Sequence, residues 1–130
     1  MFNMIVVRTP KDELFNYAEC EELYNRLNDR IGDDSFREVI DRTFFYAFYI
    51  WQTLELIGCI YYYRKDDKLF VNAFAERGHH LINIECFKQS LTFFPEEDVY
   101  ATTTQKTAIM CIRKCGFEKI GKDLYVYRRS

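Results

Sequence analysis

The 130 residues carry 18 basic and 20 acidic side chains, a net charge of −2, with 48% hydrophobic residues. That balance excludes a disordered polar chain and supplies no basic field for nucleic acid or an anionic membrane. The longest aromatic run, "FFYAFYIW", ends after eight residues and is too short to span a bilayer. The start lacks the basic-then-apolar layout of a signal peptide. Cys20, Cys59, Cys86, Cys111 and Cys115 are odd in number and form no C-x-x-C pair, so reduced thiols in a cytoplasmic setting are expected. One domain over 1–130 is the expectation for this length.

In chain order, "NMIVVRT" reads as a first strand centred on Ile5, Val6 and Val7. Thr9 as N-cap and Pro10 at the first helical position predict a helix over about 10–30. Leu14, Tyr17, Ala18, Tyr24, Leu27 and Ile31 lie on its inner face, and Gly32 ends it. Asp33 or Asp34 caps a second helix through Arg42, with Phe36, Val39 and Ile40 inward. "TFFYAFYIW", "LIGCIYYYR" and "LFVNAFAE" follow as three strands joined by the short turns "QTLE" and "KDDK", which predicts an antiparallel meander. Gly58 marks a bulge or a close backbone approach. Tyr61, Tyr62 and Tyr63 alternate faces, one side core and the other open to a partner.

The stretch "FAERGHHLINIECFKQSLTFF" begins as a strand end and continues as a helix. His80, Ile84, Phe87, Leu91 and Phe94 share its apolar face, and Pro95 stops it. "DVYAT" is a strand. Thr102 and Gln105 form a T-x-x-Q capping box for the next helix, which turns Ala108, Cys111, Ile112 and Cys115 to one side and closes at Gly116. "FEKIG" and "LYVYRR" make a final hairpin around residues 121–123. The order is β-α-α-β-β-β-α-β-α-β-β, an α/β (α+β) fold on a mixed, largely antiparallel sheet. The crossover helix makes the fourth and fifth strands parallel and sets its N-terminus at the end of the fourth, where an anion can bind.

Arg77, Gly78, His79 and His80 are the candidates for that anion, through backbone N–H groups and the Arg77 charge. Glu76 and His80 are the candidate general bases, with Asn72 able to position a water. No metal site is expected: adjacent His79 and His80 diverge by about 100° on a helix, and no fourth ligand joins them and Cys86. Cys111 and Cys115, one turn apart on an apolar face, read as packing rather than as a nucleophile.

With "DVYATTTQKTAIMCIRKCGFEKIG" and the strand-turn-helix before it, this element order resembles the GNAT superfamily of acetyl-CoA-dependent acyltransferases. Gly116-Phe117 and Ala108 match its late strand-helix-strand signature. The resemblance implies that Arg77-Gly78 opens the turn holding the pyrophosphate of acetyl-CoA, and that Gln105 stands where an asparagine often touches the cofactor. His80 and Ile82 fall where further small residues belong, and Ile112 falls where many members place a tyrosine acid. The chain is also similar to small GNAT-like proteins of short-tailed bacteriophages. These departures imply a non-catalytic binding or structural protein that holds no cofactor and engages a protein partner in a phage particle or host complex. The alternative is a divergent N-acetyltransferase, in which an amine attacks the thioester of acetyl-CoA directly.

Overall fold

The computed structural model describes residues 4–27, 34–76 and 78–129, with the backbone alone at residue 80. The elements are β1 (Ile5–Arg8), α1 (Tyr17–Arg26), α2 (Phe36–Arg42), β2 (Phe44–Ile50), β3 (Leu56–Lys65), β4 (Lys68–Ala75), α3 (His80–Leu91), β5 (Val99–Thr102), α4 (Lys106–Lys114), β6 (Glu118–Gly121) and β7 (Leu124–Tyr127). The expected element order is the observed one. The strands form one sheet in the order β1-β2-β3-β4-β5-β7-β6. β4 and β5 are parallel and every other pairing is antiparallel.

Alternating side chains divide the core into two layers. On one face α1 and α2 cover Phe45, Ala47, Tyr49, Tyr61 and Phe74. On the other, α3 and α4 cover Phe48, Ile60, Tyr62, Leu69, Val71 and Val99. Both faces of β3 are therefore covered: Tyr61 and Tyr62 are buried and Tyr63 is half-buried. The tyrosine run is not the open partner surface that the sequence allowed. Tyr62 meets the buried Ser90 of α3 through a 2.7 Å hydroxyl hydrogen bond. Asp66 and Asp67 both adopt positive φ, of 54° and 62°, as a tight two-residue hairpin requires.

The first helix starts later than its sequence suggests. The backbone N–H of Thr9 donates to Asp12 Oδ2 at 2.7 Å, and that of Asp12 donates to the Thr9 carbonyl at 2.9 Å. These local bonds fold residues 9–15 into turns, and Asn16 caps α1 by accepting from the Glu19 N–H at 3.1 Å. Leu14 consequently lies 66% exposed instead of facing the core, and Ala18 is exposed too. Cys20 and Leu23 take the inward positions. The expected end at Gly32, with Ile31 and the cap at Asp33, lies outside the described residues. α2 is capped by Ser35 rather than Asp34, in a reciprocal box with Glu38. The box expected from Thr102 and Gln105 does not form: Gln105 is itself the N-cap of α4, without a side-chain bond. α4 does close at Gly116, whose φ is +107°. The Phe117 N–H returns to the Ile112 carbonyl at 3.0 Å and that of Gly116 to Arg113 at 3.1 Å, as in a Schellman motif.

Gly58 sits where the β2–β3 register shifts. A Cβ there would lie 2.7 Å from Ala75 Cβ and 2.8 Å from the Phe74 carbonyl oxygen. Both readings of that glycine, bulge and close approach, are met.

Candidate functional site

β4 and β5 pair only at Leu69–Val99 and Phe70–Tyr100. β4 then runs on to Ala75, while β5 follows β7 through Thr102 and Leu124. The two strands thus part halfway along β4. The gap opens a cavity of about 540 Å³, walled by β4, the N-terminal half of α3, the end of β5 and the first turns of α4.

The ladder predicts what β4 presents to this gap. The Glu76 N–H donates to the Ile57 carbonyl at 2.9 Å, so Glu76 faces β3. Backbone groups alternate along an antiparallel pair, so those of Ala75 and Ala73, beyond the last β5 pairing, face the gap. Ala73 and Ala75 also line it with the smallest side chains that keep a Cβ. The Ala73 N–H donates to its neighbour's Asn72 Oδ1 at 2.8 Å. An oxygen thus already occupies the position that this donor would offer to a ligand carbonyl. Asn72 engages the strand amide, a contact beyond its expected role of positioning a water.

At the gap's mouth β4 turns into α3. Gly78 has a φ of +94° and nothing within 4 Å of where a Cβ would stand, so the turn leaves space for close approach. The first N–H groups of α3 point toward the same end. Glu76 is held by Arg26 of α1, with Nη2–Oε2 at 2.9 Å and Nη1–Oε1 at 3.2 Å. That guanidinium keeps the Glu76 carboxyl below the usual carboxylate range. His79 is the α3 N-cap residue, and its Nε2 lies 3.0 Å from Glu55 Oε2 of the β2–β3 turn.

The α4 wall is one helical strip. Thr107, Ala108 and Cys111 line the cavity at i, i+1 and i+4. Ile112 lines it from deeper in the core and is 4% exposed. Cys115, one turn beyond Cys111, is buried and reaches the Ile84 carbonyl at 3.8 Å. The neighbouring Cys115 thiol lowers the Cys111 pKa, and Cys111 raises that of Cys115. Across the gap, burial pushes the Cys86 thiol of α3 up to about 12.

Of the residues expected from the sequence, Glu76 and Gly78 line the cavity. His79 stands beside it, tied to Glu55, and Gln105 stands exposed at the start of α4 with its N–H on Thr103 Oγ1 at 3.1 Å. Arg77 and the His80 side chain lie outside the described residues. The sequence reading missed Asn83, Thr103, Thr107 and the outward half of Cys111 as cavity-lining groups. The capping pattern Thr-Thr-Thr-Gln at residues 102–105 was their one signal, since it placed hydroxyls at the opening of α4. No group of three or more His, Cys, Asp or Glu suited to a metal occurs among the described residues. No described helix is long and apolar enough to cross a membrane.

The chain matches no protein-family model and no curated protein. Among solved structures it is similar to an N-acetyltransferase from Staphylococcus aureus Mu50, with a TM-score of 0.70, 16% identity, and coverage of 97% of this chain and 98% of that one. A GNAT-family acetyltransferase from Bacillus anthracis gives 0.71 at 12% identity over 97% and 95%. The aminoglycoside acetyltransferase AAC(6')-Ib, solved with coenzyme A and kanamycin, gives 0.64 at 16% identity over 96% and 95%. At these identities the likeness concerns the fold. The architecture is that of the GNAT acetyltransferases.

Proposed function

We propose that this chain, as one domain of a cytoplasmic protein, binds an acyl-CoA in the gap between β4 and β5 and transfers the acyl group to an amine. The observation that carries this reading is that the gap stands open. Protein interiors close-pack and leave few voids larger than a water molecule, so a cavity of about 540 Å³ at the sheet split has the size of a ligand site. Here β4 keeps alanines at 73 and 75, and α4 keeps Ala108 opposite.

The residues present fit the group. Gly78 and the first amides of α3 suit the phosphates, with His79 and Gln105 at the rim. Arg77 and His80, their neighbours in sequence, remain the candidates the sequence named for the same anion. The β4 amides facing the gap suit a carbonyl oxygen, which at Ala73 would displace the Asn72 Oδ1 now on that N–H. Bound acyl-CoA would supply a carbonyl already activated toward amines. Glu76, kept ionised by Arg26, would draw a cationic amine to the mouth, and His80 is left as the candidate base. Titration calorimetry with acetyl-CoA tests the binding step. Mass spectrometry of an amine panel with acetyl-CoA tests transfer; no heat at saturating ligand overturns the reading.

One observation favours a second reading, a non-catalytic binding or structural protein, phage-encoded as the sequence resemblance implies. Ile112 is sealed in the core at the position where that resemblance implies a tyrosine acid. Acetyl-CoA binding without transfer to any amine, together with co-purification in a particle or host complex, would support it.

A further inference from the structure

Any transfer from a thioester ends with an electron pair on sulfur, and the cavity wall holds one thiol placed to meet it. Four described titratable groups line the cavity: Cys59, Glu76, Cys86 and Cys111. Cys59 packs in the opposite layer, under α1. Glu76 stands at the mouth in its ion pair with Arg26. Cys86 is 3% exposed within the α3 layer. Of the three thiols Cys111 alone is half-buried, on the α4 strip that lines the gap with the β4 alanines. A carbonyl held on the β4 amides leaves its sulfur toward that strip.

Building on the acyl-transfer reading, we propose that Cys111 donates a proton to the departing thiolate sulfur, and that the buried Cys115 thiol steadies Cys111 once the proton has left. The amine lone pair forms the C–N bond, the C–S bond breaks, and its electron pair stays on sulfur. The Cys111 S–H proton passes to that sulfur, giving free CoA thiol, while the proton released by the amine goes to the candidate base His80 and on to water. Water then restores the Cys111 proton, so the balance is amine plus thioester to amide plus thiol.

Cys115 is built for the second part. Its single S–H donates to the Ile84 carbonyl oxygen at 3.8 Å, and Cys111 stands one helical turn away on the same face. An anionic sulfur is the better acceptor, so the S–H turns to Cys111 as it ionises. Lys114 on the same helix adds positive charge, while Cys86 faces the pair from α3 as a neutral thiol. Ile112, next in sequence, points into the core, so the proton donor stands one residue before the position the sequence resemblance would give it.

The test combines turnover with a readout that needs none. Cys111→Ser keeps the size and removes the acid. It should lower kcat about 100-fold, with the KM for acetyl-CoA within about threefold. Iodoacetamide labelling of Cys111 against pH, read by mass spectrometry, reports its ionisation directly. Cys115→Ala should move that profile upward, and Cys115→Ser, which restores a donor, should move it back. Saturating CoA should slow the labelling. A Cys111→Ser enzyme as fast as wild type overturns the proposal, as does CoA that binds by calorimetry yet leaves Cys111 labelling unchanged. A chain that gives no calorimetric binding overturns the acyl-transfer reading itself, a distinct outcome.

Discussion

Gly58→Ala tests the close approach of β3 to the last residues of β4. The added Cβ would meet Ala75 Cβ at 2.7 Å, the Phe74 carbonyl oxygen at 2.8 Å and Ala75 Cα at 2.9 Å. Two of these three are backbone atoms, fixed by the β3–β4 ladder, so no flexible side chain can yield. Overpacking usually costs 1–3 kcal/mol, and a clash with backbone belongs in the upper half, about 2–3 kcal/mol. For a chain of this size each kcal/mol moves Tm by about 3–5 °C, so the midpoint should fall by roughly 6–15 °C. The double variant Gly58→Ala/Ala75→Gly removes the 2.7 Å contact but keeps the one to the Phe74 oxygen, so only part of the loss should return. Calorimetric or circular-dichroism melting measures both. A Gly58→Ala protein that melts with wild type would refute the close approach. Where the variant folds, acetyl-CoA affinity should drop as well, because the shifted Ala75 and Glu76 carry the mouth of the cavity.

The buried pair Tyr62–Ser90 gives an ordered prediction in urea unfolding. Tyr62→Phe leaves Ser90 Oγ bonded to the Phe87 carbonyl at 2.8 Å and should cost about 1 kcal/mol. Ser90→Ala strands the buried Tyr62 hydroxyl and should cost more, about 1–3 kcal/mol; the reverse order contradicts the geometry. Arg129 gathers the carbonyls of Leu91, Phe94 and Glu97, which ties the end of α3 to the end of β7. Arg129→Ala should destabilise by about 1.5–3 kcal/mol in the same assay, and a loss near zero would remove that tie from the account. Glu97 is held below its ordinary pKa first by the Arg64 hydrogen bonds, at 2.7 and 2.8 Å. A depressed carboxylate contributes stability that is complete above its unfolded pKa, near 4.3, and is lost as pH falls through the folded value. Glu97→Gln should therefore lower stability at neutral pH and flatten its acid dependence, and an unchanged acid limb would count against the pair.

The strands were legible because β-branched and aromatic runs with short polar turns leave few alternatives, and "KDDK" closes as the hairpin it suggested. The capping box at Ser35 shows how near a local signal can come, one residue from the expected Asp34. The first helix was misjudged because Thr9, Pro10 and Asp12 are as good in a turn as in a helix start; the Thr9–Asp12 bonds decide it. The cavity was legible at its mouth alone. Its turn, Glu76 to His79, is contiguous and reads as a strand-to-helix junction. The walls are not contiguous: Ala73, Asn83, Thr107 and Cys111 meet only because β4 and β5 part after two paired residues, and missing pairing leaves no mark in composition. Cys111 and Cys115 read correctly as sharing a face, yet that face divides, with Cys115 buried and Cys111 half-open to the gap.

Everything proposed for this chain depends on the β4–β5 gap binding an acyl-CoA. Titration calorimetry with acetyl-CoA into wild type and Ala73→Phe tests it most directly. Ala73 is exposed and lines the gap, so a phenylalanine there fills the cavity without entering the core. Wild type should bind saturably at one to one, and Ala73→Phe should lose that binding at an unchanged melting temperature. No heat from wild type at saturating acetyl-CoA, or equal binding by the two proteins, would contradict it.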